Sequence, residues 1–178
     1  ISVADAGGTI TYVLRDDGQP SKITAPGNIS TTFTYDDYGR RTKIADPSAG
    51  TQTDAYVWNA DGSSAYTHTN ANGTVKTYKD KYGRTTLVER PGEYNTTYTY
   101  DTYGRLSTEQ STNGTGMEYT YDGLDRVVTS KETIPDGKYL RKVYNYGTAS
   151  VLNSVQYISQ SGPITTESYT YSNGHNTG

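Results

Sequence analysis

Residues 98–109, YTYDTYGRLSTE, carry two signals in one short stretch. Tyr98 and Tyr100 alternate with Thr97 and Thr99, a spacing of two that places both rings on one face of a strand. Asp101-Thr-Tyr-Gly104 then reads as a turn. The Asp side chain accepts a backbone N–H two residues on, and Gly at the fourth place takes the left-handed conformation that returns the chain.

The formula recurs. Aligning on the turn Gly gives Gly18, Gly39, Gly62, Gly83 and Gly104, with Asp125 and Gly147 continuing the series at steps of 21, 23, 21, 21, 21 and 22 residues. Asp36 to Gly39, Asn59 to Gly62 and Asp80 to Gly83 repeat the turn chemistry, and Asp122 to Asp125 puts Asp where Gly stood. A second series of turn signals falls midway, at Pro26-Gly-Asn28, Pro47-Ser-Ala-Gly50, Asn70-Ala-Asn-Gly73, Pro91-Gly92, Asn113-Gly114, Pro135-Asp-Gly137 and Ser161-Gly-Pro163. Runs rich in Thr, Tyr and Val separate the turns and have strand length. Strands joined by short loops pair antiparallel, so each unit of about 21 residues is a hairpin and a half-turn to the next.

Residues six and four before the turn Gly are Tyr12 and Leu14, Phe33 and Tyr35, Tyr56 and Trp58, Tyr98 and Tyr100, then Tyr119 and Tyr121 before Asp125. The intervening Thr32, Thr34, Glu118 and Thr120 face the other way, which predicts one aromatic and one hydroxyl-rich face. Tyr78 lies five before Gly83, Tyr144 and Tyr146 crowd Gly147, and Tyr169 and Tyr171 precede Gly174 by five and three, so bulges or altered pairing are expected there.

Composition supports a folded strand protein. Leu, Ile, Val and Phe total only 25 of 178 residues, but 19 Tyr and 30 Thr bury area on a pleated surface, and the net charge is only −3. Dispersed charge offers no basic face for nucleic acid. The absence of Cys removes disulfides and thiolate chemistry. No run near 18 apolar residues and no charged-then-apolar leader is present.

The motif in Tyr35-Asp-Asp-Tyr-Gly-Arg40, Tyr100-Asp-Thr-Tyr-Gly-Arg105 and Tyr121-Asp-Gly-Leu-Asp-Arg126 resembles the YD repeat of the Rhs family, over residues 9 to 147 clearly and 148 to 178 in degenerate form. That family includes bacterial polymorphic toxins, toxin-complex C components and teneurins. The resemblance implies an all-β antiparallel meander of seven to eight hairpin repeats in a strongly curved or spiralling sheet, shell-like or partly closed. It implies a single repeat domain over 1–178, a fragment of a longer exported or cell-surface bacterial chain, serving encapsulation or cell contact. The expected partners are the rest of that chain or other copies met through open sheet edges.

Site candidates divide into two groups. Asp36, Gly39, Arg40, Asp80, Gly83, Arg84, Asp101, Gly104, Arg105, Asp122 and Arg126 form the repeat motif, each Arg four residues after an Asp. They read either as structural pairs or as a ladder for anionic ligands. Tyr56, Trp58, Tyr98, Tyr100, Tyr119 and Tyr121 read either as core or as a platform for a carbohydrate or peptide. Catalytic residues, cofactors and metals are not expected: His68 and His175 stand in no triad or metal spacing, and the Asp-Gly turns lack the further carboxylates of a calcium loop. A non-enzymatic module follows.

Overall fold

The computed structural model describes residues 1–5, 7–172 and 175–176. Gly174, one of the expected turn glycines, lies outside the described residues, as does the side chain of His175. Two compact units divide the chain, Ile1–Glu93 and Tyr94–Gly178.

The first unit holds β1 (Ser2–Asp5), β2 (Gly8–Leu14), β3 (Pro20–Ala25), β4 (Ile29–Tyr35), β5 (Arg41–Asp46), β6 (Gly50–Trp58), β7 (Ser64–Asn70), β8 (Gly73–Lys79) and β9 (Thr85–Glu89). The second holds β10 (Thr96–Tyr100), β11 (Leu106–Ser111), β12 (Gly116–Tyr121), β13 (Val127–Thr133), β14 (Tyr139–Tyr146), β15 (Leu152–Ser159) and β16 (Gly162–Ser168). A 3₁₀ turn at Thr148–Ser150 and the two-residue β17 (Tyr171–Ser172) and β18 (His175–Asn176) complete it. Within each unit, order in space is order in the chain and the pairs are antiparallel, an open all-β meander.

Side-chain alternation sets the faces. On β10, Tyr98 and Tyr100 are half-buried while Thr97 and Thr99 are exposed, and β4 repeats this with Phe33 and Tyr35 against Thr32 and Thr34. Core in the usual sense is thin: Val88 and Val155 are the buried apolar residues among those described, joined by buried Asp54 and Ser130. On the aromatic face of the first unit, Tyr56, Tyr66, Thr77 and Val88 pair in a row across β6 to β9. Tyr78 pairs with Ala65 and Leu87, so it lies on the opposite face, as its shifted spacing implies.

Bulges are more general than the spacing indicates. They occur at the irregular hairpins β8–β9 and β14–β15 and again in β15–β16, but equally in the regular β2–β3, β4–β5, β10–β11 and β12–β13. In β4–β5, Thr34 pairs with Lys43 but Tyr35 with Arg41, which leaves Thr42 as the extra residue. The bulge adds local twist beside every such turn. Of the hairpins closed by the long turn, β6–β7 alone runs in unbroken register among the described residues, Asp54 to His68 through Trp58 to Ser64.

Candidate functional site

The long turn is built around one carboxylate. Asp36 Oδ1 accepts the backbone N–H groups of Tyr38 and Arg40 at 3.0 and 2.9 Å, and Oδ2 accepts Arg40 Nε at 2.6 Å. Gly39, at φ 75°, donates its N–H to the Asp36 carbonyl. Asp80, Asp101 and Asp122 repeat the arrangement with Arg84, Arg105 and Arg126. Asp125 holds the glycine position of the Asp122 turn at φ 62°, and in the β14–β15 turn Ser150 holds it, with Gly147 at the place of the Asp and not of the expected turn glycine. For Asp36, Asp80 and Asp101, loss of water works to raise the pKa but the bonds from the paired Arg and the turn amides outweigh it, and the carboxyl lies below its ordinary value. For Asp122 the Arg126 side-chain bond is the leading cause of the same shift.

The same Arg then reaches the next hairpin. Arg40 lies over the Tyr56 ring at 4.5 Å, Arg105 over Tyr121 at 4.6 Å and Arg126 over Tyr146 at 4.3 Å. Each of these tyrosines donates its hydroxyl back to the residue after that Arg: Tyr56 to the Arg41 carbonyl, Tyr121 to Leu106 and Tyr146 to Val127, at 3.4, 2.8 and 2.9 Å. Arg15 over Tyr35, with the Tyr35 hydroxyl on the Pro20 carbonyl, starts the series. Turn carboxylate, guanidinium and following tyrosine therefore form a ladder that ties hairpin to hairpin laterally.

One rung differs. At β6–β7 the ladder opens into an aromatic cluster in which Tyr56 stacks with Trp58 at 6.1 Å and meets Tyr66 at 5.2 Å. Arg40 lies 4.4 Å from the Trp58 ring centre and 5.0 Å from that of Tyr38. Arg40, Tyr56, Trp58 and Tyr66, with Ser64, Thr77 and Lys79, line an open hollow of about 520 Å3, and Trp58 is 61% exposed. Tyr56 and Trp58 are thus brought together. Tyr98 and Tyr100 on β10 and Tyr119 and Tyr121 on β12 belong to the second unit, half-buried on strands that flank β11. Burial, with the Glu109 charge next, raises the Tyr119 pKa.

Beside the cluster, on the same face, lies a polar group that spacing did not disclose. Asp54, with a side chain only 5% exposed, accepts the Tyr66 hydroxyl at 2.5 Å and His68 Nδ1 at 2.8 Å, and Arg41 Nε stands 3.9 Å away. Burial works to raise the Asp54 pKa, but the Tyr66 and His68 bonds outweigh it and hold it low; burial and the Asp54 bond push Tyr66 up to about 12. His68, which stands in no triad or metal spacing, is half-buried and partnered. Its visible trace in the sequence is the 23-residue step from Gly39 to Gly62, two longer than its neighbours.

The model of the teneurin YD-shell family matches residues 1–137. The chain belongs to this family. No curated protein matches it in sequence. A crystal structure of TcdB2-TccC3 without its hypervariable C-terminal region superposes on the YD-shell chain with a TM-score of 0.63 at 15% identity, over 94% of this chain and 10% of that one. A second structure, TcdB2-TccC3, covers 97% of this chain and 12% of its own at 14% identity, with a TM-score of 0.49. The first likeness carries the fold, and the YD-shell chain spans about a tenth of the length of the structures it matches.

Proposed function

We propose that this chain is a structural wall segment of an exported or cell-surface bacterial protein, in which residues 1–178 form one repeat tract continuous with further hairpins and enclosing cargo or meeting another cell. The observation that carries this reading is the lateral ladder: each Asp–Arg pair closes its own turn, and the same Arg under the next tyrosine ring, with that tyrosine's hydroxyl reaching back, joins one hairpin to the next. Charged groups so engaged support a scaffold rather than an enzyme. The thin core supports it further, since a single layer with half-buried aromatics is completed by material packed against that face. Sedimentation tests the reading. A wall segment with open strand edges self-associates as concentration rises; a monomer at every concentration overturns it.

A second reading rests on the Trp58 hollow. An exposed indole beside Tyr56 and Tyr66, with Lys79 at the rim, offers stacking area and a cation to a carbohydrate or peptide. Trp58 is the chain's one tryptophan, so its fluorescence reports occupancy directly. Saturable change with a polysaccharide or peptide supports this reading, and a flat response across a broad panel removes it.

A further inference from the structure

His68 is held at both ring nitrogens. The Asp54 carboxylate accepts only, so Nδ1 carries the proton of the 2.8 Å bond, and Nε2 is left to accept from the Asn70 side-chain amide at 3.3 Å. The Asn70 amide cannot be reversed freely: its Oδ1 accepts the backbone N–H of Asn72 at 2.9 Å, inside the turn Asn70-Ala-Asn-Gly73 that joins β7 to β8. A chain of three bonds thus runs from a buried carboxylate through an imidazole to a turn amide, and it closes only when the imidazole is neutral.

We propose that His68 is an acid-sensitive clasp on the β7–β8 turn, holding it through Asn70 when neutral and releasing it when protonated. Protonation adds a hydrogen at Nε2 and sets two donors against each other. The Asn70 amide rotates to present Oδ1 to the imidazolium, and the Asn72 N–H loses its acceptor. Nδ1 keeps its proton and its bond to Asp54, so β6 and β7 stay joined while the turn loosens. An imidazole is the side chain that changes charge between about pH 5 and 8.

Charged groups face the ring from several elements: Asp54 on β6, with Arg41 at the start of β5 beside it, and Glu93 and Arg90 after β9, which line a hollow of about 200 Å3 with His68 and Asn70. The Tyr66 phenol stays protonated throughout and contributes its bond to Asp54. What the ring's protonation changes is therefore the direction of the Nε2 bond.

Nitrogen-15 NMR of the whole chain, titrated from about pH 8 to about pH 5, tests the clasp. The expected result is that the Asn72 amide signal moves with the midpoint of the His68 ring nitrogens. Its exchange protection, corrected for intrinsic pH dependence, falls roughly 2- to 10-fold, the worth of one hydrogen bond. His68→Gln abolishes both changes. Asn70→Asp, whose carboxylate accepts from Nε2–H and Asn72 together, keeps the turn protected in acid. An Asn72 amide that holds while the wild-type ring titrates overturns the proposal without recourse to any variant, and so does a shift that persists in a folded His68→Gln chain. Neither outcome bears on self-association.

Discussion

In the β12–β13 hairpin the turn closes on Asp122, whose carboxylate takes two backbone amides and Arg126, and Val128 bulges from the return strand. In β6–β7 the same turn position is Asn59, bonded to Ser63 at 2.8 Å, Asp61 caps Ser63, and the ladder runs without a bulge. The charged lock has moved from the turn to mid-strand, where Asp54, Tyr66 and His68 join β6 to β7. In these two hairpins a buried or half-buried carboxylate ties the return strand, at the turn in one and mid-strand in the other, and the inward position leaves the turn end open for exposed Trp58.

Acid tests that contrast at its largest. Asp36, Asp80, Asp101 and Asp122 have folded pKa values below their unfolded ones, so the stability they contribute is whole above the ordinary carboxylate value, about 4. It is lost as the pH falls through the lower folded values. Four turns weaken over one window, and thermal melts from neutral pH to about pH 2 should show a steep drop below about pH 4. Replacing the four Asp by Asn, the residue found at Asn59, makes the drop shallower and leaves the part due to Asp54 and the other lowered carboxylates.

Within β6–β7 the largest single loss is expected for Asp54→Ala. It strands the Tyr66 hydroxyl and the His68 ring beside an unopposed Arg41. Removing one partner of a fully enclosed pair costs about 3–5 kcal/mol, and because Arg41 and His68 keep contact with water, about 2–3 kcal/mol is expected by urea denaturation. A loss no greater than that of a surface change would return the anchor to the turn.

Turn geometry comes next. Gly39→Val forces a β-branched residue to φ 75° and should cost about 1–2 kcal/mol, with Gly39→Asn costing less. Asp125 shows the compromise already made: at φ 62° it keeps the turn, but its N–H bond to the Asp122 carbonyl is 3.3 Å where Gly39 and Gly104 make 3.0 and 2.9 Å.

Turns, strand lengths and faces were legible because each follows from neighbours in the chain: Asp and Gly set the return, and a spacing of two sets the face. The bulge was not, since Thr42 and Val128 become extra only against a partner strand. The Asp54–His68 pair was hidden for the same reason. Its members lie fourteen residues apart and face each other only when β6–β7 omits the bulge that its sister hairpins carry. Lateral contacts such as Arg105 on Tyr121 combine two turns and a strand order, none of which local spacing contains.

The smallest effects separate the two tyrosines that share Arg105. Tyr121→Phe keeps the ring under the guanidinium and removes only the hydroxyl bond to the Leu106 carbonyl, so about 0.5–1.5 kcal/mol is expected from chemical denaturation. Tyr103 also lies 4.9 Å from Arg105, but it is 82% exposed at the turn tip. Tyr103→Ala should change stability by no more than about 0.5 kcal/mol. No loss on Tyr121→Phe would mean that ring contact alone holds the ladder. A loss confined to Tyr121 means that the hydroxyl reaching back to the previous hairpin is the lateral tie.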